Sequence, residues 1–431
     1  MKSSTLRLVL LMSCCHGLVH VYELSFASVE QLVADDFGVD TAVTGWLGFS
    51  MRLPFGLFAL AAGWLADRFG AKRLLLVYLF GSSAAALLAW LSPSLAVLFA
   101  VMFTLGTFAG IYHPAGVSLI AHQTQPENRP MALGYHGIFG SMGIAAGPFL
   151  ASLVLATGAS WRQYYLVLTV PGVLLAVWLM LRLPQEHDDT TTANPHAPAD
   201  RGEDPARWDC YFILIASNVL AGFIYSAVLT FLPRYLADSG LNLEAALERF
   251  VHAVGSGGGE FHPVSTGNFL TGLVLLLGIL GQYTAGRTAR PSTLEPMMAL
   301  TFFAVAPCLF WMGFATGIAR VWAAALFAPL FFMHQPLFNS LVAKYVPRRR
   351  RSLSYGLSFT VGFGIGGTGS AFAGKVESTL GDYGAVVNYG TLAGLALVVG
   401  LLCLVLWRRQ ASGDHVSPRP PEPLLDAEAL V

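Results

Sequence analysis

The sequence predicts an all-α membrane protein with about twelve transmembrane helices in two pseudo-symmetric six-helix bundles. Three observations predict this class: the composition, a run of apolar segments of spanning length, and an internal repeat. The chain has 431 residues, of which 55% are hydrophobic and 12% are charged, whereas about a quarter of the residues in a soluble domain are charged. So little charge cannot cover a soluble surface of this size, which favours a polytopic membrane protein.

Charge and cysteine content exclude other classes. Lys plus Arg equals Asp plus Glu, so no charge excess indicates nucleic acid as a partner. The five cysteines, at positions 14, 15, 210, 308 and 403, show no paired spacing and are expected to be small apolar residues. The segment LMSC ending at Cys14 loosely resembles a lipoprotein cleavage site. Its apolar core is only about six residues long, so we expect it to belong to the first transmembrane helix.

Twelve apolar segments of spanning length define the predicted helices. They are 7–34, 41–66, 73–91, 95–121, 131–157, 162–183, 208–237, 266–286, 294–316, 319–343, 353–376 and 383–407. The Pro-rich acidic stretch 184–207 is predicted to be a disordered linker, and 410–431 a disordered tail. This divides the chain into an N-terminal bundle, 1–183, and a C-terminal bundle, 208–409.

The basic residues predict the orientation. When loops are assigned alternately to the two sides, one side collects about nineteen of the 25 Lys and Arg and the other about five. The rich side is expected to be cytoplasmic, which puts both termini in the cytoplasm of a bacterial cell with the protein in its inner membrane.

The two halves repeat. At an offset of 222 residues, HPAGVSLIA (113–121) aligns with QPLFNSLVA (335–343), and Pro114 meets Pro336. Three glycines of the fifth predicted helix coincide with glycines of the eleventh in the same register. Parallel six-helix repeats are one architecture of secondary transporters, with the substrate site between them near the midplane.

One insertion breaks this symmetry. Residues 238–265 form a long loop, predicted to be external, between the seventh and eighth helices. Within it NLEAALERFVHAV has the apolar spacing of an amphipathic helix, and GSGGGEFHP after it is typical of a hinge. Two interpretations stay open: a surface helix, or a lid over the site.

A loop between the second and third helices carries a family resemblance. GWLADRFGAKRLLL (63–76) resembles the signature loop of the major facilitator superfamily. The matching residues are Gly63, Asp67, Arg68, Gly70, Lys72 and Arg73. The small Gly63 is expected to let helices approach closely, and Gly70 to permit the turn. The resemblance implies that Asp67 sits at the N-terminus of helix 11 and closes the cytoplasmic side.

The fifth helix carries a second resemblance. GYHGIFGSMGIAAGPFLAS (134–152) places Gly134, Gly143, Gly147 and Pro148 at the spacing of the superfamily's antiporter motif, with small residues at its last two positions. In the superfamily this pattern accompanies exporters more than importers. The helix 4 arginine common in drug antiporters is absent, because Gly106 occupies its place. YHPAG (112–116) is similar to the fosmidomycin-resistance-type branch.

Two charges lie deep inside the apolar segments. Glu23 is the only acid near the middle of a predicted helix, and Arg52 is the only such base. A carboxylate at mid-bilayer costs roughly 2.5–3.5 kcal/mol. Both residues lie twelve positions from the predicted external ends of consecutive antiparallel helices, roughly 18 Å deep at the helical rise. We therefore predict that they pair, either as a proton-coupling site or as a static structural ion pair.

The superfamily resemblance implies that helices 1, 4, 7 and 10 line a central cavity. The polar residues that they would bring there, with Arg52 beside them, are His20, Tyr22, Glu23, His113, Asn218, Tyr225, His334, Gln335 and Asn339. Soft-metal ligands are available at Cys14, Cys15, His16 and His20, but their spacing scatters them around a helix, so no metal is predicted. A single histidine is as often a hydrogen-bonded core residue as a functional one.

The predicted function is secondary transport of a small organic solute. No nucleotide-binding loop or nucleophile–base set is present, which argues against an ATP-driven pump or an enzyme. Efflux by proton antiport is favoured by the helix 5 spacing. Proton-coupled uptake of an organic anion, sodium coupling and a non-transporting receptor stay open. No cofactor is predicted, and the expected partners are a small substrate, protons and lipid, with the protein monomeric.

Overall fold

The computed structural model describes residues 3–124, 129–182, 206–253, 262–347 and 350–413, which contain helices and no β-strand. The N-terminal helices are α1 (Ser3–Glu23), α2 (Ser25–Phe37), α3 (Thr41–Phe69), α4 (Ala71–Trp90), α5 (Leu95–Gly110), α6 (Tyr112–Gln123), α7 (Arg129–Leu155) and α8 (Trp161–Arg182). The C-terminal helices are α9 (Trp208–Ala237), α10 (Glu244–Ala253), α11 (Val264–Thr288), α12 (Leu294–Phe314), α13 (Ala319–Phe332), α14 (His334–Tyr345), α15 (Arg351–Phe359), α16 (Thr368–Leu380) and α17 (Gly384–Gly413).

These helices form twelve spans in the described part of the chain. Eleven stretches are long and apolar enough to cross a membrane, and the last of them, Leu353–Gln410, contains two helical passes. Three spans are interrupted: α1–α2, α5–α6 and α13–α14 are each broken at a single residue. The span α15–α16 includes a π-helical stretch, Thr360–Ile365. The predicted fold class is confirmed.

Some predicted boundaries differ or cannot be compared. The linker 184–207 lies outside the described residues except for its last two, and Arg207 donates its backbone N–H to the Tyr345 carbonyl at 2.9 Å. The hinge of the external loop lies largely outside them too, as does the tail beyond position 413. The tail was expected to start at position 410, but α17 continues to Gly413 because nothing in WRRQAS breaks a helix.

Each bundle has its own apolar core. The N-terminal core contains buried tyrosines from four helices: Tyr22, Tyr78, Tyr112, Tyr164 and Tyr165. The C-terminal core buries phenylalanines, among them Phe302, Phe327 and Phe331, as well as tyrosines. Four of the N-terminal tyrosines donate to backbone carbonyls inside their bundle, as Tyr78 Oη does to the Cys15 carbonyl at 2.9 Å, and Tyr165 donates to Met102 Sδ at 3.5 Å. Their hydroxyls are therefore compatible with burial.

Glycines set the closest helix crossings. A Cβ on Gly143 of α7 would lie 2.1 Å from the Gly17 carbonyl oxygen of α1, and one on Gly106 of α5 would lie 2.0 Å from the Met51 carbonyl oxygen of α3. Gly63 is different: an added Cβ would meet only Pro114 Cβ at an ordinary 3.9 Å. The expectation of close packing at Gly63 is therefore wrong for this conformation, since Gly63 does not lie at the crossing point.

Direct hydrogen bonds join the two bundles at the end of the molecule where α10 lies. We call this the α10 end, and the opposite one, where α3 finishes, the linker end. At the α10 end the hydroxyls of Thr41 and Ser370 donate across the bundle boundary to the carbonyls of Gly374 and Gly45, each at 3.0 Å. Asn268 Nδ2 donates to the Ser28 carbonyl at 2.8 Å. The molecule is thus closed at its α10 end.

The amphipathic helix expected in the loop is present as α10. Its Leu247 is buried and packs with Ala156, which follows α7, and with Leu243 and Phe269 on the C-terminal side. An apolar contact of α10 therefore reaches both bundles.

Candidate functional site: a buried polar cluster between the bundles

Glu23 is the centre of a buried hydrogen-bond cluster. Its Oε1 accepts from Arg52 Nη1 at 3.1 Å and from the Tyr225 hydroxyl at 2.9 Å. Its Oε2 lies 2.6 Å from His20 Nδ1. Glu23, Arg52 and His20 are all at most 5% exposed. A carboxylate with three partners, one of them cationic, is compatible with this depth.

Tyr225 brings the second bundle to this site. It lies on α9, and its hydroxyl reaches Glu23 across a separation of 202 residues. The Arg52 guanidinium carbon lies 5.1 Å from the centroid of the Tyr225 ring, which adds a cation–π contact. The predicted Glu23–Arg52 ion pair is present, and one residue of the opposite bundle contacts both of its members.

Histidines extend the cluster along α1. His20 Nε2 lies 3.3 Å from His16 Nε2, and His16 Nδ1 lies 2.7 Å from the His136 carbonyl oxygen. The His136 ring stacks on His16 with centroids 3.8 Å apart. His113 packs edge-on against His16, and its Nε2 is buried without a hydrogen-bond partner among the described residues.

Local backbone features place these groups. The first span is interrupted at Leu24, directly after Glu23, and the Ser25 hydroxyl bonds the Tyr22 carbonyl at 2.7 Å. Such serine contacts bend helices. On the facing span the π-helical stretch ends beside Gly367, where a Cβ would lie 3.0 Å from Arg52 Cβ. A side chain at position 367 would crowd Arg52, so the glycine leaves room for it.

Three predicted cavity residues lie away from this cluster. The Tyr22 hydroxyl donates to the Leu168 carbonyl at 3.1 Å, inside the N-terminal bundle. Asn218 Nδ2 donates to the Ser358 carbonyl at 2.8 Å, and His334 Nδ1 lies 2.6 Å from the Phe331 carbonyl oxygen. Each of these polar groups is satisfied by backbone within its own bundle, which is why they turn inward rather than toward Glu23.

Two further predicted cavity residues, Gln335 and Asn339, lie on α14 with exposed side chains. Gln335 Oε1 accepts from Gln282 Nε2 at 2.8 Å, and Gln282 Oε1 accepts from the Ser141 hydroxyl of α7 at 2.5 Å. The backbone carbonyl of Asn339 accepts a hydrogen bond from the Tyr355 hydroxyl at 2.8 Å. His113 and Gln335, predicted to face each other, are not in direct contact in the described structure; a polar bridge between α7 and α14 runs through Gln282 instead.

The signature-loop residues lie at the linker end. Asp67 and Arg68 are in the last turn of α3, and Gly70 has φ +85°, which fits its predicted role in the turn. The exposed Arg68 packs over the Trp64 ring at 5.5 Å. Lys72 and Arg73 lie in the first turn of α4. α15, the start of helix 11, packs against α3, with Gly356 beside Leu60.

The helix 5 motif joins α7 to α1. Gly143 meets the backbone of Gly17, whereas Gly147 makes only ordinary contacts at 3.5 Å and Gly134 has open space around it. Pro148 lies inside α7. One glycine of the motif therefore does most of the packing.

The sequence analysis did not assign four residues to a site: two in the histidine cluster and two in an ion pair at the α10 end. His16 and His136 belong to the histidine cluster, and a spacing of four between His16 and His20 was the available signal. At the α10 end Arg234 forms a bidentate ion pair with the buried Glu30, through Nε to Oε2 at 2.8 Å and Nη2 to Oε1 at 3.1 Å. This pair joins α2 to α9, and nothing in either local sequence pointed to it.

The histidines are also the residues that could hold a metal ion. Nitrogen atoms of His16, His20 and His113 all lie within 4.8 Å of one another. The expectation that spacing scatters these ligands is wrong for His16 and His20, because residues four apart share a helix face. Three imidazoles are a minimal set for a transition metal, and we assign none.

Two six-helix bundles with a charged, buried site between them define a secondary membrane transporter. A family model described as Major Facilitator Superfamily matches residues 9–371. The chain belongs to the Major Facilitator Superfamily, and it is a transporter and not an enzyme.

Solved structures share the fold. A bacterial homolog to the human lysosomal transporter Spinster, in an inward-facing and occupied conformation, has a TM-score of 0.71 at 14% identity and covers 97% of this chain and 100% of that one. The nucleoside transporter NupG has a TM-score of 0.72 at 14% identity, covering 93% and 99%.

Curated relatives differ in how much of this chain they match. The 3-(3-hydroxy-phenyl)propionate transporter of Escherichia coli is 27% identical over 95% of this chain and 96% of its own length. The lincomycin resistance protein of Streptomyces lincolnensis is 34% identical, but over only 38% of this chain and 33% of its own length. The probable sulfoacetate transporter of Cupriavidus necator is 23% identical over 53% and 56%. The chain spans 27% of the length of a probable actinorhodin transporter from Streptomyces coelicolor.

Proposed function

We propose that this transporter moves a small organic anion together with a proton by alternating access. The observation that carries the proposal is the double use of Glu23, which holds Arg52 and is itself bonded by His20 and Tyr225. When Glu23 gains a proton, its attraction for Arg52 weakens and the guanidinium becomes available to a substrate carboxylate. Proton and anion then bind cooperatively.

The relatives support an anionic substrate. The relative aligned over nearly its whole length is named for an aromatic propionate, and another is named for sulfoacetate. An aromatic carboxylate would fit a site with Arg52 beside Tyr225 and Phe363, whose rings lie 5.8 Å apart. Arginine binds carboxylates bidentately, and aromatic side chains stack on a ring.

Efflux by proton antiport is a second candidate. The helix 5 glycine spacing, which accompanies exporters in the superfamily, supports it, and Gly143 of that helix meets Gly17 where α7 crosses α1. Several relatives are named for antibiotic resistance, with alignments that cover less than half of this chain. The single Glu23–Arg52 site would serve either direction, so transport measurements must decide.

Transport into liposomes under an imposed pH gradient separates these candidates. The purified protein is reconstituted and labelled 3-(3-hydroxyphenyl)propionate is added outside. Symport predicts accumulation when the outside is acidic, antiport predicts it when the inside is acidic, and a receptor gives neither. Arg52→Gln should abolish accumulation. Arg320→Gln is the matched control, because Arg320 pairs with Asp238 at the α10 end, away from the site. Equal accumulation by both variants would show that Arg52 does not bind the substrate.

The remaining features of the proposal follow from the sequence. The linker end is cytoplasmic, the protein resides in the bacterial inner membrane, and it works as a monomer. Asp67 acts as the gate of that end together with the N-terminus of α15. Reaction of single cysteines with a membrane-impermeant reagent in intact cells tests the orientation: residues of α10 should react and those of the signature loop should not.

A further inference from the structure

Hydrogen-bond donors and acceptors can be counted along the hydrogen-bonded series of side chains Glu23–His20–His16. A carbonyl oxygen only accepts, so His16 Nδ1, 2.7 Å from the His136 carbonyl, must carry a proton. The contact of His16 Nε2 with His20 Nε2 at 3.3 Å needs one proton between two nitrogens. The contact of His20 Nδ1 with Glu23 Oε2 at 2.6 Å needs another.

This count exceeds the protons that the neutral residues supply. Two neutral imidazoles carry one N–H each and an ionised carboxylate carries none, which gives two protons. The three contacts require three. The extra proton lies on His20 or His16, making that ring an imidazolium, or on Glu23 Oε2, and these are positions of one proton along the same two contacts.

We propose that the Glu23–His20 pair, completed by His16, is a built proton-binding site and that this conformation is its proton-loaded state. Without the extra proton, one of the two contacts would place a lone pair against a lone pair in a buried position. The site therefore has a fixed capacity of one proton. It comprises His20 and His16 as well as the carboxylate.

The groups around the site are consistent with a retained proton. The titratable and charged side chains that face it from neighbouring helices are Arg52 of α3, Tyr112 and His113 of α6, His136 of α7 and Tyr225 of α9. Arg52 and Tyr225 bond the other carboxylate oxygen. The hydrogen-bond chain ends at the His136 carbonyl, which cannot pass a proton on. The chain stores a proton here and does not conduct it.

The loaded site carries a defined charge. Glu23, His20 and His16 together carry one negative charge when unloaded and none when loaded, and Arg52 adds one positive charge. The cluster thus changes from neutral to a single positive charge when it binds the proton. This consequence rests on the proposed function: a monoanionic substrate would restore neutrality, whereas the proton count itself needs no substrate.

Proton counting on the purified protein tests the site without substrate. Weakly buffered wild-type protein is titrated across the neutral range in detergent, and bound protons per chain are compared with those of Glu23→Gln. A glutamine amide can donate to His20 Nδ1, so that variant needs no extra proton. We expect wild type to bind one proton more than Glu23→Gln. Histidine ¹⁵N NMR should show either an imidazolium or the neutral tautomers that a protonated Glu23 imposes on its histidine partners. The variant should show neither pattern.

Glu295→Gln is the matched control. Glu295 is a buried carboxylate bonded by Lys344 Nζ at 2.7 Å and by the Tyr345 hydroxyl at 2.6 Å, without a histidine. Its removal should leave the proton count at the wild-type value. If Glu23→Gln fails to fold, Glu23→Gln/Arg52→Gln removes both buried charges and should show the same deficit of one proton. Equal counts in wild type and the Glu23 variants overturn the proposal, as does one transition-metal ion per chain in the purified protein.

Discussion

Glu23 and Arg52 are exposed by 3% and 4%, so neutralising one leaves the other buried and unpaired. Glu23→Gln should abolish accumulation driven by a pH gradient but spare exchange of substrate across the membrane with no gradient, since exchange requires no net proton movement. Initial rates of both reactions in the same liposomes are the measurement. Loss of exchange together with accumulation would contradict a pure coupling role.

The double variant separates coupling from structure. Glu23→Gln/Arg52→Gln should unfold at a higher temperature than either single variant, because no unpaired buried charge remains, while driven transport stays absent. Thermal unfolding and gradient-driven accumulation are measured side by side. Recovery of driven transport would mean that the pair is only structural.

Gly143 is a residue whose role is geometric. An added Cβ would lie 2.1 Å from the backbone oxygen of Gly17, so Gly143→Ala must push α7 away from α1. Overpacking of this kind costs about 1–3 kcal/mol, which should lower the midpoint of thermal unfolding. Gly134→Ala on the same helix is the control, because nothing lies within 4 Å of its added Cβ. Equal stability of both variants would show that α1 and α7 can separate freely.

At the scale of helices, the ion pair of Glu30 with Arg234 closes the α10 end by joining α2 to α9. Glu30→Gln removes hydrogen bonds to a charged group worth about 1.5–3 kcal/mol, so it should shift the conformational balance toward opening at that end by about ten- to a hundredfold. Cysteine accessibility at the α10 end measures the shift. Asp36→Asn is the control, since Asp36 pairs with Arg162 of α8 inside one bundle. If both changes alter accessibility alike, Glu30 is not the gate.

Asp67→Asn should act in the opposite direction. A carboxylate at a helix N-terminus gains about 0.3–2 kcal/mol from the dipole, and α15 packs against α3 with Gly356 beside Leu60. Asp67 lies seven residues beyond Leu60, and the start of α15 lies five residues before Gly356, so both reach a similar level. Neutralising Asp67 should favour opening at the linker end, which cysteine labelling at that end measures. Substrate affinity should stay within a few-fold of wild type. Unchanged labelling would exclude the gate.

Helices were predictable where the evidence was local in the chain. Spanning segments depend on neighbouring apolar residues, so composition sufficed to place them. The equal depth of Glu23 and Arg52 could be counted from adjacent helix ends. By contrast, Glu30 meets Arg234 across 204 residues and His16 meets the His136 carbonyl across 120. Such contacts depend on how helices distant in the chain pack, within a bundle or between bundles, and no pattern within one helix encodes that packing. Tyr22 was expected in the cavity because it is a polar residue of helix 1, but its hydroxyl donates to the Leu168 carbonyl inside the N-terminal bundle.

For the whole molecule, the proton count and the closed α10 end describe one state of a cycle. The bundles meet through Glu30–Arg234 at that end and through Glu23–Tyr225 at the centre. Because Tyr225 bonds the same oxygen that receives Arg52, a change at Glu23 alters the only described side-chain hydrogen bond from α9 to the proton site. Proton release would therefore strengthen the Tyr225–Glu23 hydrogen bond between the bundles, because an ionised carboxylate is the better acceptor, while proton binding would weaken it.

This link predicts the electrical behaviour of transport. One proton on the Glu23–His20 pair and one monoanion beside Arg52 move together with no net charge, so accumulation should follow the pH gradient and be insensitive to membrane potential. Liposomes with potassium gradients and valinomycin set the potential while pH is held equal on both sides. We expect no accumulation of labelled 3-(3-hydroxyphenyl)propionate under potential alone and full accumulation under a pH gradient with the potential clamped at zero. Accumulation driven by an inside-negative potential would require more than one proton for each anion, and a site with a capacity of one proton would then be insufficient.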